Sequence, residues 1–190
     1  ENLTQGFEQA YALDTKFRVE HHGEEILPLS VAGYDPITLN SEGEIIIDDG
    51  NLKVTAFSVI HEPIDPAFGY RFDYKGRSIV ISGDTLYSKN LVNNSKGVDV
   101  LFHDAISLDT VHIMREVAFE QNNKTITKVL DDIQTYHENT IRVAELANEI
   151  EAGYLIYYHL IPSPRSYLAE MLWTRGINDL RSSNWMLSED

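Results

Sequence analysis

No cysteine occurs in this sequence. That absence excludes a disulfide framework and any thiolate-held metal, so a bound ion would need His and carboxylate donors. Basic residues are scarce: 15 Lys and Arg stand against 30 Asp and Glu, for a net charge of −15. Residues 1–50 hold only Lys16 and Arg18 against eleven Asp and Glu. A surface of that sign repels phosphate backbones at long range, and no local basic run offsets it, so nucleic acid is disfavoured as a partner. The apolar runs are far too short to span a bilayer and no signal-peptide pattern is visible, so no membrane contact is expected. Internal repeats, low-complexity tracts and linkers are also missing. The remaining composition is ordinary: 43% hydrophobic and 24% charged over 190 residues. That is enough for a single domain, 1–190, with a real core.

The apolar pattern predicts an order of elements. Leu3, Phe7, Ala10 and Tyr11 suggest a short amphipathic helix over 3–13. Breakers at Gly23, Pro28, Gly33 and Pro36 make 14–42 irregular, and "HHGEE", with His21 and His22, reads as a loop. Strands follow at 44–48, 52–61, 68–76, 77–82 and 98–104, with "DGN" after the first as a hairpin turn. Helical spacing takes over at 107–121, 125–135 and 139–151. A last strand, 153–159, and a helix near 165–175 follow, and "NWMLSED" reads as a turn. Strands, then helices, then strand and helix suggest a sheet with helices on one face. The helix 139–151 looks like part of a crossover between parallel strands 98–104 and 153–159.

The polar residues at the ends of these elements carry the chemical interest. "IVISGDT" runs β-branched residues into Ser82-Gly83-Asp84, which is either ordinary turn chemistry or a rigid mount for one carboxylate. "VDVLFHDA" finishes an apolar strand on His103 and Asp104. "LIYYHLIP" finishes another on His159. "YHENT" sets His137 just before a helix, with Asn139 as its N-cap, where backbone N–H groups favour an anion. Each residue alone has a bland reading as a surface turn, a core histidine or a loop. Together they place Asp84, Asp104 and His159 at strand ends and His137 at a helix start, where sites gather in helix-covered sheets. Imidazole and carboxylate suit a divalent ion, so the convergence points to a metal or phosphoester site. His61, ending "VIH", either joins this edge or merely caps its strand.

In that order and spacing, "AFGYRFDYKGRSIVISGDT", "VDVLFHDA", "YHENTIRVAELANE" and "LIYYHLIP" resemble the second half of the metallo-β-lactamase-fold hydrolases, nearest the ribonuclease Z and arylsulfatase-like branch. The resemblance spans about residues 52–162. It implies an α+β fold, the αββα sandwich, of which this chain holds the C-terminal half: one mixed sheet with covering helices. It also implies a site for two zinc ions in the intact enzyme. Asp84 matches the carboxylate that bridges both metals, and His159 the last histidine ligand. His137 resembles a catalytic histidine at the scissile phosphate or leaving group, and Asp104 stands where that branch has its partner Glu. The leading His-x-His-x-Asp-His signature is absent from the 190 residues. His61 lies too near "SGDT" to be assigned the further histidine of the family. With no Met at its start, the chain is expected to be the C-terminal piece of a longer enzyme, with a degenerate homologue as the other explanation.

The resemblance implies hydrolysis by a metal-activated water, with phospho-, sulfo- or carboxy-esters of small molecules ranked first. An RNA phosphodiesterase like ribonuclease Z, whose branch handles transfer-RNA precursors, is the alternative. A non-catalytic, self-associating half-domain is the other class. The chain alone is expected to bind metal weakly and turn over poorly. Near-continuous apolar strands ask for cover on both sheet faces, so the expected partner is the missing N-terminal half or a second copy in a homo-oligomer.

Overall fold

A computed structural model describes residues 2–22, 39–40 and 43–189. The chain divides into two compact units, with the boundary after Thr38. In the first unit, helix α1 spans Asn2–His22. It therefore runs past the expected end at residue 13 and takes in His21 and His22, which were read as loop. Nothing between residue 13 and Gly23 breaks a helix, and i,i+4 pairs (Asp14 with Arg18, Lys16 with Glu20) support its second half. Residues 23–38 of the stretch expected to be irregular lie outside the described residues.

The second unit is one mixed sheet of seven strands, laid out in chain order. Its first four strands are β1 (Glu44–Asp48), β2 (Leu52–His61), β3 (Ile64–Tyr74) and β4 (Arg77–Ile81), joined as antiparallel neighbours. The turns are local chemistry. Asp49 Oδ1 accepts from the N–H groups of Asn51 and Leu52 at 2.8 and 2.7 Å. Lys75 and Gly76 both take positive φ, 47° and 77°, as a two-residue hairpin requires. β5 (Val100–Ile106), β6 (Tyr154–Ile161) and β7 (Trp185–Leu187) extend the sheet in parallel from β4. The expected parallel crossover between the strands at 98–104 and 153–159 is present. The segment read as a closing turn is instead β7.

Parallel neighbours need long connections, and helices supply them. α2 (Lys89–Ser95) lies between β4 and β5. α3 (Leu108–Glu120), α4 (Lys124–Asp132) and α5 (Thr140–Glu149) lie between β5 and β6. α6 (Tyr167–Trp173) and α7 (Ile177–Leu180) precede β7. The main core joins Phe57, Val80, Leu101, Leu155 and Tyr157 of the sheet to Leu91, Leu146, Trp173 and Ile177 of the helices. A smaller cluster of Ile106, Val111, Ala118 and Leu130 holds the α3–α4 hairpin. On β4 the alternation is plain: Ser78 and Val80 are buried, while Ile79 and Ile81 are 40% and 37% exposed. The apolar run read as wanting cover on both faces is thus covered on one. No helix among the described residues is long and apolar enough to cross a membrane.

Candidate metal centre

The C-terminal ends of β2, β4, β5 and β6 meet at one edge of the sheet, where the connections bring polar side chains together. Asp84 follows β4 across Gly83. That glycine has φ +68°, and a Cβ there would lie 2.7 Å from the Phe68 carbonyl oxygen, so only glycine fits the turn. Backbone bonds then tie the segment down. Thr85 N–H donates to Asp104 Oδ1 at 3.2 Å, and Leu86 N–H to the Ile60 carbonyl at 2.9 Å.

His159 does not end its strand, as the apolar run suggested; β6 continues to Ile161. Tyr158 pairs with Asp104 and Leu160 with Ala105, which leaves His159 as the extra residue of a bulge. Its φ of 45° is left-handed. Bulges bend a strand and re-aim a side chain, and this one delivers an imidazole that remains 49% exposed. Its Nε2 lies 3.5 Å from Asp84 Oδ2.

His137 arrives from the loop before α5. Asn139 caps that helix as expected, its Oδ1 accepting from the N–H groups of Ile141 and Arg142. The buried His137 ring donates Nδ1–H to Asp104 Oδ2 at 2.8 Å, which leaves Nε2 as the free nitrogen. One donor atom each from Asp84, His137 and His159 lie within 4.8 Å of one another. The three residues read as converging are therefore brought together, and Asp104 stands directly behind one of them.

Asp104 is fully buried, with His137 on one side and His103 Nδ1 3.2 Å away on the other. Burial would raise its pKa, but the hydrogen bonds and charges of His103 and His137 outweigh that and hold the carboxyl below its ordinary value. His103 is also fully buried, its Nδ1 2.7 Å from the Asp104 carbonyl oxygen. Its Nε2 has no hydrogen-bond partner; burial alone would lower the ring's pKa, but the hydrogen bond and charge of Asp104 outweigh that and raise it. Tyr158, on the strand beside, is pushed up to about 12 by burial, against a hydrogen bond to Ser82, with the charges of Asp104 and Asp84 adding to the rise.

His61 belongs to this edge as well. Its ring packs against His137 at 5.4 Å between centroids, and its Nδ1 lies 3.1 Å from the Tyr136 carbonyl oxygen. Of the two readings left open for it, joining this edge or capping its strand, the structure supports the first. The register shift between Val59 and His61, which turns the strand end toward Tyr136, carries no signal in composition.

The donor set fits a divalent ion in kind: two imidazoles and a carboxylate, one imidazole fixed from behind by a buried acid. It fits one ion in number, since three donors suffice for one open catalytic position but not for two ions.

Comparison with known proteins now defines the class. The family described as Beta-lactamase superfamily domain matches residues 9–160, and the chain belongs to it. Its fold is the α+β arrangement of metallo-β-lactamase-like proteins, and that fold family implies metal ions. Among curated relatives, the ribonuclease Z of Mycobacterium avium (strain 104) is 27% identical over 150 residues, covering 79% of this chain and 48% of that protein. The ribonuclease Z of Mycolicibacterium gilvum (strain PYR-GCK) is 24% identical over 158 residues, covering 82% and 49%. Zn(2+)-bound PqqB from Methylobacterium extorquens shares the fold at a TM-score of 0.55 and 18% identity, covering 94% of this chain and 57% of that one.

The chain spans about half the length of the curated relatives it matches. Their name stands at odds with the expectation, from net charge, that nucleic acid is disfavoured. A charge summed over a chain does not describe local potential. Lys53, Arg71, Lys75 and Arg77 line one cavity of about 610 Å³ at the opposite end of the sheet together with Asp48, Asp73 and Asp99, and Arg71 and Arg77 are paired with Asp73 and Asp99, so the charges there are mixed.

Proposed function

We propose that the chain carries part of the active centre of a metal-dependent phosphodiesterase. The observation that carries this reading is the His137–Asp104 pair set against Asp84 and His159. A bound zinc ion would supply a water acidified toward neutrality and a Lewis acid for the ester oxygen. Asp84 and His159 offer their oxygen and nitrogen to the ion. His137, its Nδ1–H held by Asp104, presents an unprotonated Nε2 toward the same point, where it is the third donor for the ion in this chain and, once protonated, the group that serves the leaving oxygen. Asp104 fixes the tautomer and the ring plane.

The relatives named ribonuclease Z support an RNA substrate, and a small ester is the alternative. With three donors among the described residues, the chain alone is expected to bind one ion and to turn over slowly. The half-open sheet face around Ile79 and Ile81 supports a partner layer, either the rest of a longer polypeptide or a second copy. Calorimetric titration of metal-free protein with zinc tests the site: one ion per chain, lost in Asp84→Ala, is expected. No binding, or two tight ions held by the chain alone, would overturn the reading. Assays of bis(p-nitrophenyl) phosphate beside a precursor RNA, with and without chelator, separate the two substrates.

A further inference from the structure

Two carboxylates tie the Asp84 loop to the His137 loop, and the reading above uses only Asp104. The other is Glu138, 9% exposed. Its Oε2 accepts Tyr87 N–H at 2.9 Å, and its Oε1 accepts Asn139 N–H at 3.0 Å with Asn139 Nδ2 at 3.3 Å. Its carbonyl oxygen accepts Ile106 N–H at 2.9 Å, so the main chain at this residue is fixed to the end of β5. A nearly buried carboxylate that serves two backbone donors costs little where it stands, because charge-assisted bonds at the N-terminus of α5 satisfy it. A simple capping role accounts for the Asn139 bonds. It does not account for the bond across to Tyr87, 51 residues away in sequence.

We propose that Glu138 is a positioning residue: it clamps the Asp84 loop to the His137 loop and so sets the separation of two donors. The inference deepens the metal-site reading and rests on it only for its consequence, since the clamp itself is a contact between loops. The geometry gives the clamp a definite line of action. Tyr87 is three residues beyond Asp84, and Glu138 is next to His137. With Glu138 released, the Asp84 loop keeps its bonds to Asp104 and Ile60, and the Tyr87 side chain keeps its bond to Glu149 and its place under Arg142, but the main chain at Tyr87 loses its hold. The donors then have to be brought together by the ion rather than being held in advance, and affinity falls.

Glu138→Gln is the informative variant. It keeps the size of the side chain but has one acceptor oxygen in place of two, so the Tyr87 and Asn139 N–H groups cannot both be satisfied. Two readouts are taken from the metal-free and the Co2+-titrated protein. Amide hydrogen exchange reports the clamp without any ion, and exchange at Tyr87 is expected to speed up about tenfold, as for one lost hydrogen bond. The visible Co2+ spectrum reports the coordination, and affinity is expected to fall about tenfold, as for a lost outer-shell partner. Tyr87→Phe, which removes the phenol bond to Glu149 and keeps the backbone N–H, is expected to match the unmodified protein in both. Unchanged Tyr87 exchange in Glu138→Gln overturns the clamp. Faster exchange with unchanged Co2+ affinity overturns its role in setting the donors. Faster exchange in a protein that binds no Co2+ supports the clamp and sinks the metal reading instead.

Discussion

Strand β5 has an aspartate at each end, and the two do different work. Asp99, just before the strand, accepts from Ser78 N–H at 2.7 Å and from Arg77 Nη1 at 3.0 Å, with its side chain 37% exposed. Asp104, near the far end, is fully buried and takes its side-chain partners from two imidazoles and Thr85 N–H. Both carboxyls are held below their ordinary pKa. Asp99 is there chiefly because a backbone N–H, and then an arginine, bond to it. Asp104 is there against burial, because groups that can themselves gain or lose a proton surround it. One end of the sheet is braced with permanent donors. The other is built from donors whose state can change, which is what proton transfer or metal binding requires. Residue type does not separate the two; the partners do.

The comparison breaks most visibly at Asp104. Asp104→Ala removes the shared partner of two buried histidines and is expected to cost about 3 kcal/mol in a urea melt. A loss within error would mean that the site end is no more tightly organised than the brace. His159→Ala comes next. It should lower zinc affinity by about tenfold or more, as expected for a lost ligand in a three-donor set. Because the ring is half-exposed, the urea midpoint should move by no more than about 0.5 kcal/mol. An equal fall in stability and affinity would show that His159 braces the fold.

Asp99 sharpens the contrast through pH. Its folded pKa is depressed, so its contribution is fully present above the ordinary carboxylate value and is lost as pH falls through the folded one. Stability of the unmodified protein should therefore drop between about pH 5 and pH 3, and Asp99→Asn should flatten that part of the curve. Parallel curves would show that the Ser78 and Arg77 bonds do not bias Asp99 ionisation. Arg77→Ala is the smallest case. Its side chain is 83% exposed, and a surface pair of this kind is expected to be worth under about 0.5 kcal/mol.

Much of the sheet was legible because β-branched and aromatic runs such as "SIVIS" and "LIYYH" exceed what a loop would carry. Several elements were not. α2 has the Asn-Asn-Ser composition of a turn and is held by its Ser88 cap and the burial of Leu91 and Val92. β7 has three residues, too few to show a period, and exists because β6 offers it an edge. At the site, Asp84, Asp104 and His159 could be seen as polar endings of apolar runs, His137 as a residue before a helix start, and His61 as a strand end open to two readings. Glu138 could not. It acts through a contact made by the fold, with Tyr87, and no local pattern announces such a contact.

The bulge at His159 has a consequence for how the chain could change. With Tyr157 pointing to the helices and Tyr158 away, strict alternation would send residue 159 inward and Leu160 outward. Instead Leu160 packs on the main core, because residue 159 is skipped in the pairing. His159 is therefore a supernumerary letter in β6: the strand before it and the strand after it stay in phase only if it is not counted. Deleting that one residue would leave Tyr157, Tyr158, Leu160 and Ile161 in an unbroken two-residue rhythm against β5. The donor is carried as an insertion that the sheet does not need, so it can be lost in a single step while the strand closes up behind it.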